Sequence, residues 1–265
     1  MPSVRPPAVA GTFYPARPAD LASTVTGFLD EARTGAESGP VPRAILVPHA
    51  GYIYSGSIAA RGYVRLEPAR DTLHHAVILG PTHRVPVVGL ALPAADAMAT
   101  PLGEVPVAVP DVLRGLPQVV RSARVHRDEH SLEVQLPFLQ TVLGDFDVVP
   151  LAVGDATASE VAEVIEALWD EPGTVVVISS DLSHYHSYDR AREIDRATVE
   201  AILGLTGPLD HEQACGAYPA NGMLRVAVAH HLHPTLYGAC NSGDTAGDRA
   251  RVVGYASIGF LEDGR

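Results

Sequence analysis

The chain has 265 residues, of which 46% are hydrophobic, and it carries 31 acidic side chains against 19 basic ones, a formal net charge of −12. This length suffices for one large hydrophobic core, so we expect a single domain over residues 1–265. An acidic chain is repelled by phosphate backbones and anionic membrane surfaces, which argues against nucleic acid and membranes as partners. All 19 basic residues are Arg. The absence of Lys excludes Schiff-base chemistry, pyridoxal-phosphate chemistry and the P-loop phosphate site.

The cysteine content and the apolar runs bear on the cellular compartment. Two cysteines, Cys215 and Cys240, cannot form a disulfide framework. No apolar run reaches the roughly 18 residues that a membrane span needs, and residues 1–7 lack the apolar region of a signal peptide. We therefore expect a soluble cytoplasmic protein.

Short apolar runs alternate with helical patterns along the chain. A helix is expected after residue 15, and the apolar runs predict strands at residues 44–47, 76–79, 148–153, 175–178, 235–239 and 252–260. Further helices are expected over residues 131–143, with a kink at Pro137, after the capping box of Thr157 and Glu160, and over residues 189–203. This alternation predicts an α/β domain, with a mainly parallel or mixed central sheet flanked by helices.

Three of the 12 histidines follow predicted strands. His49 comes after residues 44–47, His83 after residues 76–79, and His184 after residues 175–178. Ligands of open α/β sheets bind at the carboxyl ends of the strands, so three such ends that each carry an imidazole predict one shared site. The alternative for each histidine taken alone is a loop cap that hydrogen-bonds to the backbone.

Seven strings, in order along the chain, resemble the Memo family. They cover almost the whole sequence, from residue 5 to about residue 260. The strings are RPPAVAGTFYP (5–15), PHAGYIYSG (48–56), GPTH (80–83), TPLGEV (100–105), EHSLEVQLPFL (129–139), SSDLSHY (179–185) and NSGD (241–244) ahead of VGY (253–255).

This resemblance carries implications for fold, activity and partners. The prokaryotic members are called AmmeMemoRadiSam system protein B, a name that implies AMMECR-type and radical SAM proteins as partners. The family is similar in fold to class III extradiol ring-cleaving dioxygenases, which hold non-haem Fe(II) at the strand ends. The resemblance thus implies a bound metal, Fe(II) first, and a dioxygenase-like oxidoreductase activity on a small molecule.

The resemblance also implies a ligand set. His49 and His83 match the two histidine ligands of the family, whereas the third ligand is open between Asp244 and Cys240. Asp244 would complete the two-histidine, one-carboxylate set that Fe(II) prefers. Cys240 would give a softer site suited to Zn or Cu. We favour Asp244.

Three further residues are candidates for acid–base chemistry. By the same resemblance, His184 would exchange a proton with the substrate, and Asp181 would orient an imidazole by a hydrogen bond. His130 is a second candidate acid or base, and its alternative role is to begin a helix.

Two other classes of function are compatible with the sequence. One is a non-enzymatic module that binds a peptide or a protein in a vestigial dioxygenase pocket. The other is a thiol hydrolase in which Cys240 is the nucleophile and His184 the base, which requires the two side chains to be adjacent.

Overall fold

The computed structural model of the protein describes residues 3–35 and 39–262. The strands are β1 (Val4–Arg5), β2 (Ala44–Val47), β3 (His75–Pro81), β4 (Leu90–Leu92), β5 (Ala97–Thr100), β6 (Gly103–Pro106), β7 (Val119–Arg121), β8 (Asp147–Val153), β9 (Thr174–Ser179), β10 (His184–His186), β11 (His233–Asn241) and β12 (Val252–Leu261). The α-helices are α1 (Pro18–Thr34), α2 (Tyr52–Tyr63), α3 (Ala123–Arg127), α4 (Leu136–Val142), α5 (Ala158–Trp169), α6 (Tyr188–Leu203) and α7 (Ala217–Ala229).

Nine of the strands formed by these described residues make a mixed sheet, in the order β10-β12-β2-β9-β3-β8-β4-β7 with β11 also paired to β12. The four central neighbours β2, β9, β3 and β8 are parallel, whereas β12 and β4 pair antiparallel to them at either side. A smaller sheet joins β1, β5 and β6. The carboxyl ends of four adjacent parallel strands therefore meet at one edge of the large sheet.

Alternate residues of the central strands pack into two separate layers of core. Leu46, Ile178, Leu79 and Leu151 lie in register across the four strands and belong to the core that α5 and α7 cover. Their neighbours along the strands face a second core, formed with α1, α2 and α4. Because both faces are buried, the strands appear in the sequence as continuous apolar runs.

The α/β fold predicted from the sequence is confirmed. Each predicted strand lies within an observed one, and α1, α5 and α6 occupy the predicted helical regions. The helix predicted over residues 131–143 begins later than expected, because a 3-10 turn at Glu133–Gln135 precedes a helix that begins only at Leu136. Pro137 lies in the first turn, where its missing N–H is not needed, so it starts the helix and does not kink it. No described helix is both long and apolar enough to cross a lipid bilayer.

Candidate metal centre

The carboxyl ends of the parallel strands bring the predicted histidine ligands together. His49 follows β2 by two residues, His83 follows β3 by two, and Asp181 follows β9 by two. Since β9 lies between β2 and β3, the three residues emerge at adjacent positions of one sheet edge. The ring centroids of His49 and His83 are 5.1 Å apart.

A third imidazole, that of His130, completes the cluster. Its ring centroid lies 4.5 Å from that of His83 and 5.6 Å from that of His49. One possible ligand atom from each of the three histidines lies within 4.8 Å of the other two. His130 is carried by the loop between α3 and the 3-10 turn, not by a strand end.

Hydrogen bonds fix which nitrogen of His49 faces the cluster. The hydroxyl of Ser179 donates to the carbonyl oxygen of Ser131 at 2.6 Å, so its oxygen is left to accept. It accepts from Gln135 Nε2 at 2.7 Å and lies 2.9 Å from Nδ1 of His49. Nδ1 of His49 therefore carries the proton, and Nε2 keeps the lone pair that a metal ion needs.

Glu129 orients His83 in the same way. Its Oε1 lies 2.9 Å from Nδ1 of His83, and its carboxylate also accepts the backbone N–H groups of His83, His130 and Ser131. An ionised carboxylate only accepts hydrogen bonds, so Nδ1 of His83 is the donor and Nε2 is free to coordinate. A carboxylate behind a histidine ligand is a common support in metal sites.

Nδ1 of His130 makes no hydrogen bond within residues 3–35 and 39–262, although it is buried and lies 3.4 Å from Oε1 of Glu129. A buried polar nitrogen without a partner is costly and calls for an ion or a water molecule. The residues present therefore fit a metal ion: three imidazoles converge, and one of them has an unsatisfied nitrogen.

The electrostatics of the cluster keep two of the imidazoles neutral. Burial lowers the pKa of His49 well below its usual value, and the neighbouring His83 and His130 lower it further. Burial, followed by the charge of His83, lowers the pKa of His130 to about 4. Both rings are thus unprotonated near pH 7, which is the form that coordinates metals.

Glu129 supplies negative charge next to these rings. Burial alone raises the pKa of Glu129, but the hydrogen bonds and charge of His83 and the N–H of Ser131 outweigh burial and hold the pKa below its usual range. The carboxylate therefore stays ionised at neutral pH. Its charge offsets part of the charge of a bound cation.

Asp181 and His184 border the same site. Oδ1 of Asp181 accepts the backbone N–H of His49 at 2.7 Å, and burial raises the pKa of this carboxyl. Nδ1 of His184 lies 2.8 Å from the carbonyl oxygen of Leu182, which accepts its proton and leaves Nε2 as the basic nitrogen. Both side chains line the cavity next to the histidine cluster.

The two residues considered for the third ligand lie elsewhere. Within residues 3–35 and 39–262, neither Asp244 nor Cys240 belongs to the histidine group or lines the cavity. The carboxylate of Asp244 accepts hydrogen bonds from the Tyr188 hydroxyl and from the N–H of Asn241 at 3.1 Å. β11, which contains Cys240 and ends three residues before Asp244, is separated from β2 by β12. The third residue of the histidine group is His130.

Cys240 is also poorly suited to nucleophilic chemistry. It pairs with Tyr255 across the β11–β12 ladder, and burial raises the pKa of its thiol to about 12. A protonated thiol outside the cavity is not an activated nucleophile. The geometry therefore does not support a pairing of Cys240 with His184.

Sequence reasoning missed two residues of the site, Cys215 and Glu129. Sγ of Cys215 lies 3.3 Å from Nε2 of His49, just ahead of α7. Cys215 does not follow a strand, so the expectation that site residues lie just past strand ends could not identify it. For Glu129, the signal was the acidic pair Asp128–Glu129 directly before His130.

A cavity of about 1160 Å³ opens from the histidine cluster to the surface. Its walls include the aromatic side chains of Phe13, Tyr54, Tyr185 and Tyr218. Tyr52 does not line the cavity, because it is buried in the core and donates its hydroxyl proton to the carbonyl oxygen of Val134 at 2.7 Å. The cavity is large enough for a small organic molecule next to the cluster.

Comparison with known proteins settles the family. The family model described as Memo-like protein matches residues 5–259. The chain belongs to the Memo family. A MEMO1 family protein of Archaeoglobus fulgidus is 37% identical over 97% of this chain and 99% of its own length. One from Thermotoga maritima is 35% identical over 96% of this chain and 98% of its own length. The resemblance drawn from the sequence strings is thus confirmed.

The Memo fold is also similar to a solved structure outside these relatives. An uncharacterized protein of Escherichia coli K12, JW3007, matches 82% of this chain and 99% of its own chain with a TM-score of 0.50. The two sequences are 18% identical, so this likeness concerns the fold alone.

Exchanging Glu129 for Gln tests its supporting role. The Glu129→Gln variant keeps the shape of the side chain but removes the charge and one acceptor beside His83. We expect affinity for a divalent transition ion to fall about 10- to 100-fold, as for other residues that orient a histidine ligand. Metal titration of the variant and the parent measures the change, and the exposed Glu193→Gln serves as control. Equal affinities would contradict the role of Glu129.

Proposed function

We propose that His49, His83 and His130 bind one divalent transition-metal ion, and that the adjoining cavity holds a small molecule on which this centre acts. The observation that carries the proposal is the convergence of three imidazoles, one ligand atom from each within 4.8 Å of the others, at the carboxyl ends of parallel strands. Ligand sites of open α/β sheets form at such ends.

The donor set narrows the choice of metal to transition ions. Imidazole nitrogen suits Fe, Zn, Cu and Ni better than Mg or Ca. The Memo resemblance implies Fe(II) and dioxygenase-like oxidoreductase chemistry, and we take Fe(II) as the first candidate. The thiol of Cys215, 3.3 Å from Nε2 of His49, is a further potential donor, which would favour Zn or Cu. When bound, such an ion would supply Lewis-acid or redox chemistry to a molecule in the cavity.

The protein's own residues would provide orientation and proton transfer. Glu129 and Ser179 hold the rings of His83 and His49 in the tautomers that coordinate. His184 lines the cavity, and only its Nδ1 is hydrogen-bonded to Leu182. Its Nε2 is therefore placed to take a proton from the bound molecule or to return one. The aromatic walls would exclude water from that molecule.

Titration of the untagged protein with metal tests the proposal. Under anaerobic conditions, we expect saturation at one equivalent of Fe(II), and at one equivalent of Zn(II) in a separate titration. Anaerobic handling matters because oxygen would oxidise Fe(II) during purification. If neither ion binds stoichiometrically, the proposal is wrong.

The role of His184 has a separate test. For a substrate that the metal-loaded protein turns over, we expect His184→Gln to lower kcat by about 10²–10⁴-fold, since glutamine cannot titrate near neutrality. Metal content should stay at the parent level, because His184 does not belong to the three-histidine group. His186→Gln, two residues along and outside the cavity lining, is the control. Full turnover by His184→Gln would reduce this residue to a structural role.

A further inference from the structure

Tyr185 occupies an irregular position of the sheet at the cavity mouth. In the β10–β12 pair, His184 lies opposite Val253 and His186 opposite Val252, so Tyr185 is an extra residue in the ladder. Its φ of 61° lies in the left-handed region, which is unfavourable for a residue with a large side chain. Bulges beside functional sites commonly redirect a side chain, and strained residues cluster at such sites.

The redirected ring connects the candidate base to an arginine. The Tyr185 ring lies 5.6 Å from that of His184, edge to face, and Cζ of Arg251 lies 5.0 Å from the centre of the Tyr185 ring. All three side chains line the cavity. Tyr185 is 63% exposed, so hydrophobic burial does not account for its placement.

Arg251 is the only arginine among the described residues that line the cavity. Over residues 3–35 and 39–262, its guanidinium forms no ion pair and lies over the Tyr185 ring. The backbone of Arg251 is held by a turn, in which Oδ1 of Asp248 accepts the N–H of Ala250 at 2.8 Å and that of Arg251 at 3.4 Å. The guanidinium is thus positioned with its donors available to a ligand.

The acidic residues of the cavity do not offset this arginine directly. Asp155, Asp181 and Asp248 line the cavity, and none of these three carboxylates forms an ion pair with an arginine in the described part of the chain; Asp181 and Asp248 accept backbone N–H groups. Arg251 is therefore the described arginine whose side chain is placed to pair with an anionic group in the cavity.

We propose that Arg251, held in place by Tyr185, binds the carboxylate of a small, partly aromatic molecule whose other end faces the histidine cluster. This inference rests on the proposed function for the location of the reacting end, but not for the binding of the carboxylate. A guanidinium binds a carboxylate through two parallel hydrogen bonds, and the aromatic walls suit the ring of such a molecule.

Benzoate and benzamide are suitable probes because they have the same shape and differ in charge. In calorimetric titrations of the metal-free protein, we expect benzoate to bind about tenfold more tightly than benzamide, as befits a charge-assisted pair. Arg251→Gln should abolish this preference. Arg249→Gln is the matched control, because Arg249 stacks on Tyr188 at 4.5 Å in a similar way but does not line the cavity.

Two further variants separate the ring from the guanidinium. Tyr185→Phe keeps the ring under Arg251 and should retain the preference, whereas Tyr185→Ala should weaken it. Equal binding of the two probes by the parent protein, no binding of benzoate at millimolar concentration, or an intact preference in Arg251→Gln would each overturn the inference.

Because the deciding titrations are made without metal, their result is independent of the metal centre. A protein that binds no Fe(II) or Zn(II) but prefers benzoate through Arg251 would refute the proposed function and leave this inference standing. A protein that binds metal but shows no preference for benzoate would refute this inference and leave the proposed function standing.

Discussion

His83→Ala is expected to lower the affinity of the protein for a divalent transition ion by more than about 100-fold. Loss of a coordinating nitrogen should cost more than the 10- to 100-fold typical of residues that only support a ligand. The fold should persist, because the side chain of His83 is 28% exposed and lies outside both apolar cores. Competition with a chromophoric chelator under anaerobic conditions measures affinity, and circular dichroism reports folding.

Two matched sets of variants identify the third ligand. We expect His130→Ala to lose metal as His83→Ala does, and Asp244→Ala and Cys240→Ser to bind it like the parent protein, since neither lies in the histidine group. The opposite pattern would restore the carboxylate or thiolate ligand considered from the sequence. Cys215→Ser in the same titration distinguishes a site of three nitrogens from one that also uses sulfur.

The sequence predicted the parts of the site that local rules govern. Buried parallel strands form continuous apolar runs, so β2, β3 and β9 could be located from residue type alone. Residues just past their ends must share one sheet edge, which brought His49 and His83 together in advance of any structure.

The third position depends on how distant segments of the chain pack, which local rules do not describe. His130 follows a short helix. Its position near the strand ends depends on the contacts that residues 126–133 make with Arg5. Asp244 lies next to a strand on the outer side of β12. Cys215 enters the site from the loop before α7. None of these placements leaves a periodic pattern in the sequence.

A buried ion pair connects residues 5–14 to the segment that carries His130. Arg5 is 6% exposed and Glu133 is completely buried, and their side chains form a direct salt bridge. Nε of Arg5 donates to the carbonyl oxygen of His126 at 2.8 Å, and Nη2 donates to that of Glu129. Arg5 therefore holds both the loop that carries His130 and the carboxylate in the turn that follows.

Glu133 also forms hydrogen bonds with residues 8–14. Its carboxylate accepts the backbone N–H groups of Ala8 at 2.8 Å and Val9 at 3.0 Å, and it accepts the hydroxyl proton of Tyr14 at 2.5 Å. The charges of Arg5 and Glu133 and the polar groups that bond to them are thus buried together in one hydrogen-bonded network. Such networks are stable only when every member has its partner.

Arg5→Leu is therefore expected to lower the free energy of unfolding by about 3–5 kcal/mol, the usual cost of leaving one charge of a buried pair without its partner. Urea denaturation of the metal-free protein measures the change. The control is Arg33→Leu, because Arg33 pairs with Asp30 and Glu67 at the surface, where such pairs contribute at most about 1 kcal/mol.

The double variant Arg5→Leu/Glu133→Leu decides between a lost charge partner and lost packing. If the uncompensated charge of Glu133 dominates, removing it as well should recover part of the stability, since replacing both members of a buried pair by apolar residues costs less than removing one. If the double variant is less stable than Arg5→Leu, the hydrogen bonds from Ala8, Val9 and Tyr14 to Glu133 contribute more than the charge pair. An unfolding free energy of Arg5→Leu within about 1 kcal/mol of the parent would refute the role of the pair, because that is the range of an exposed ion pair.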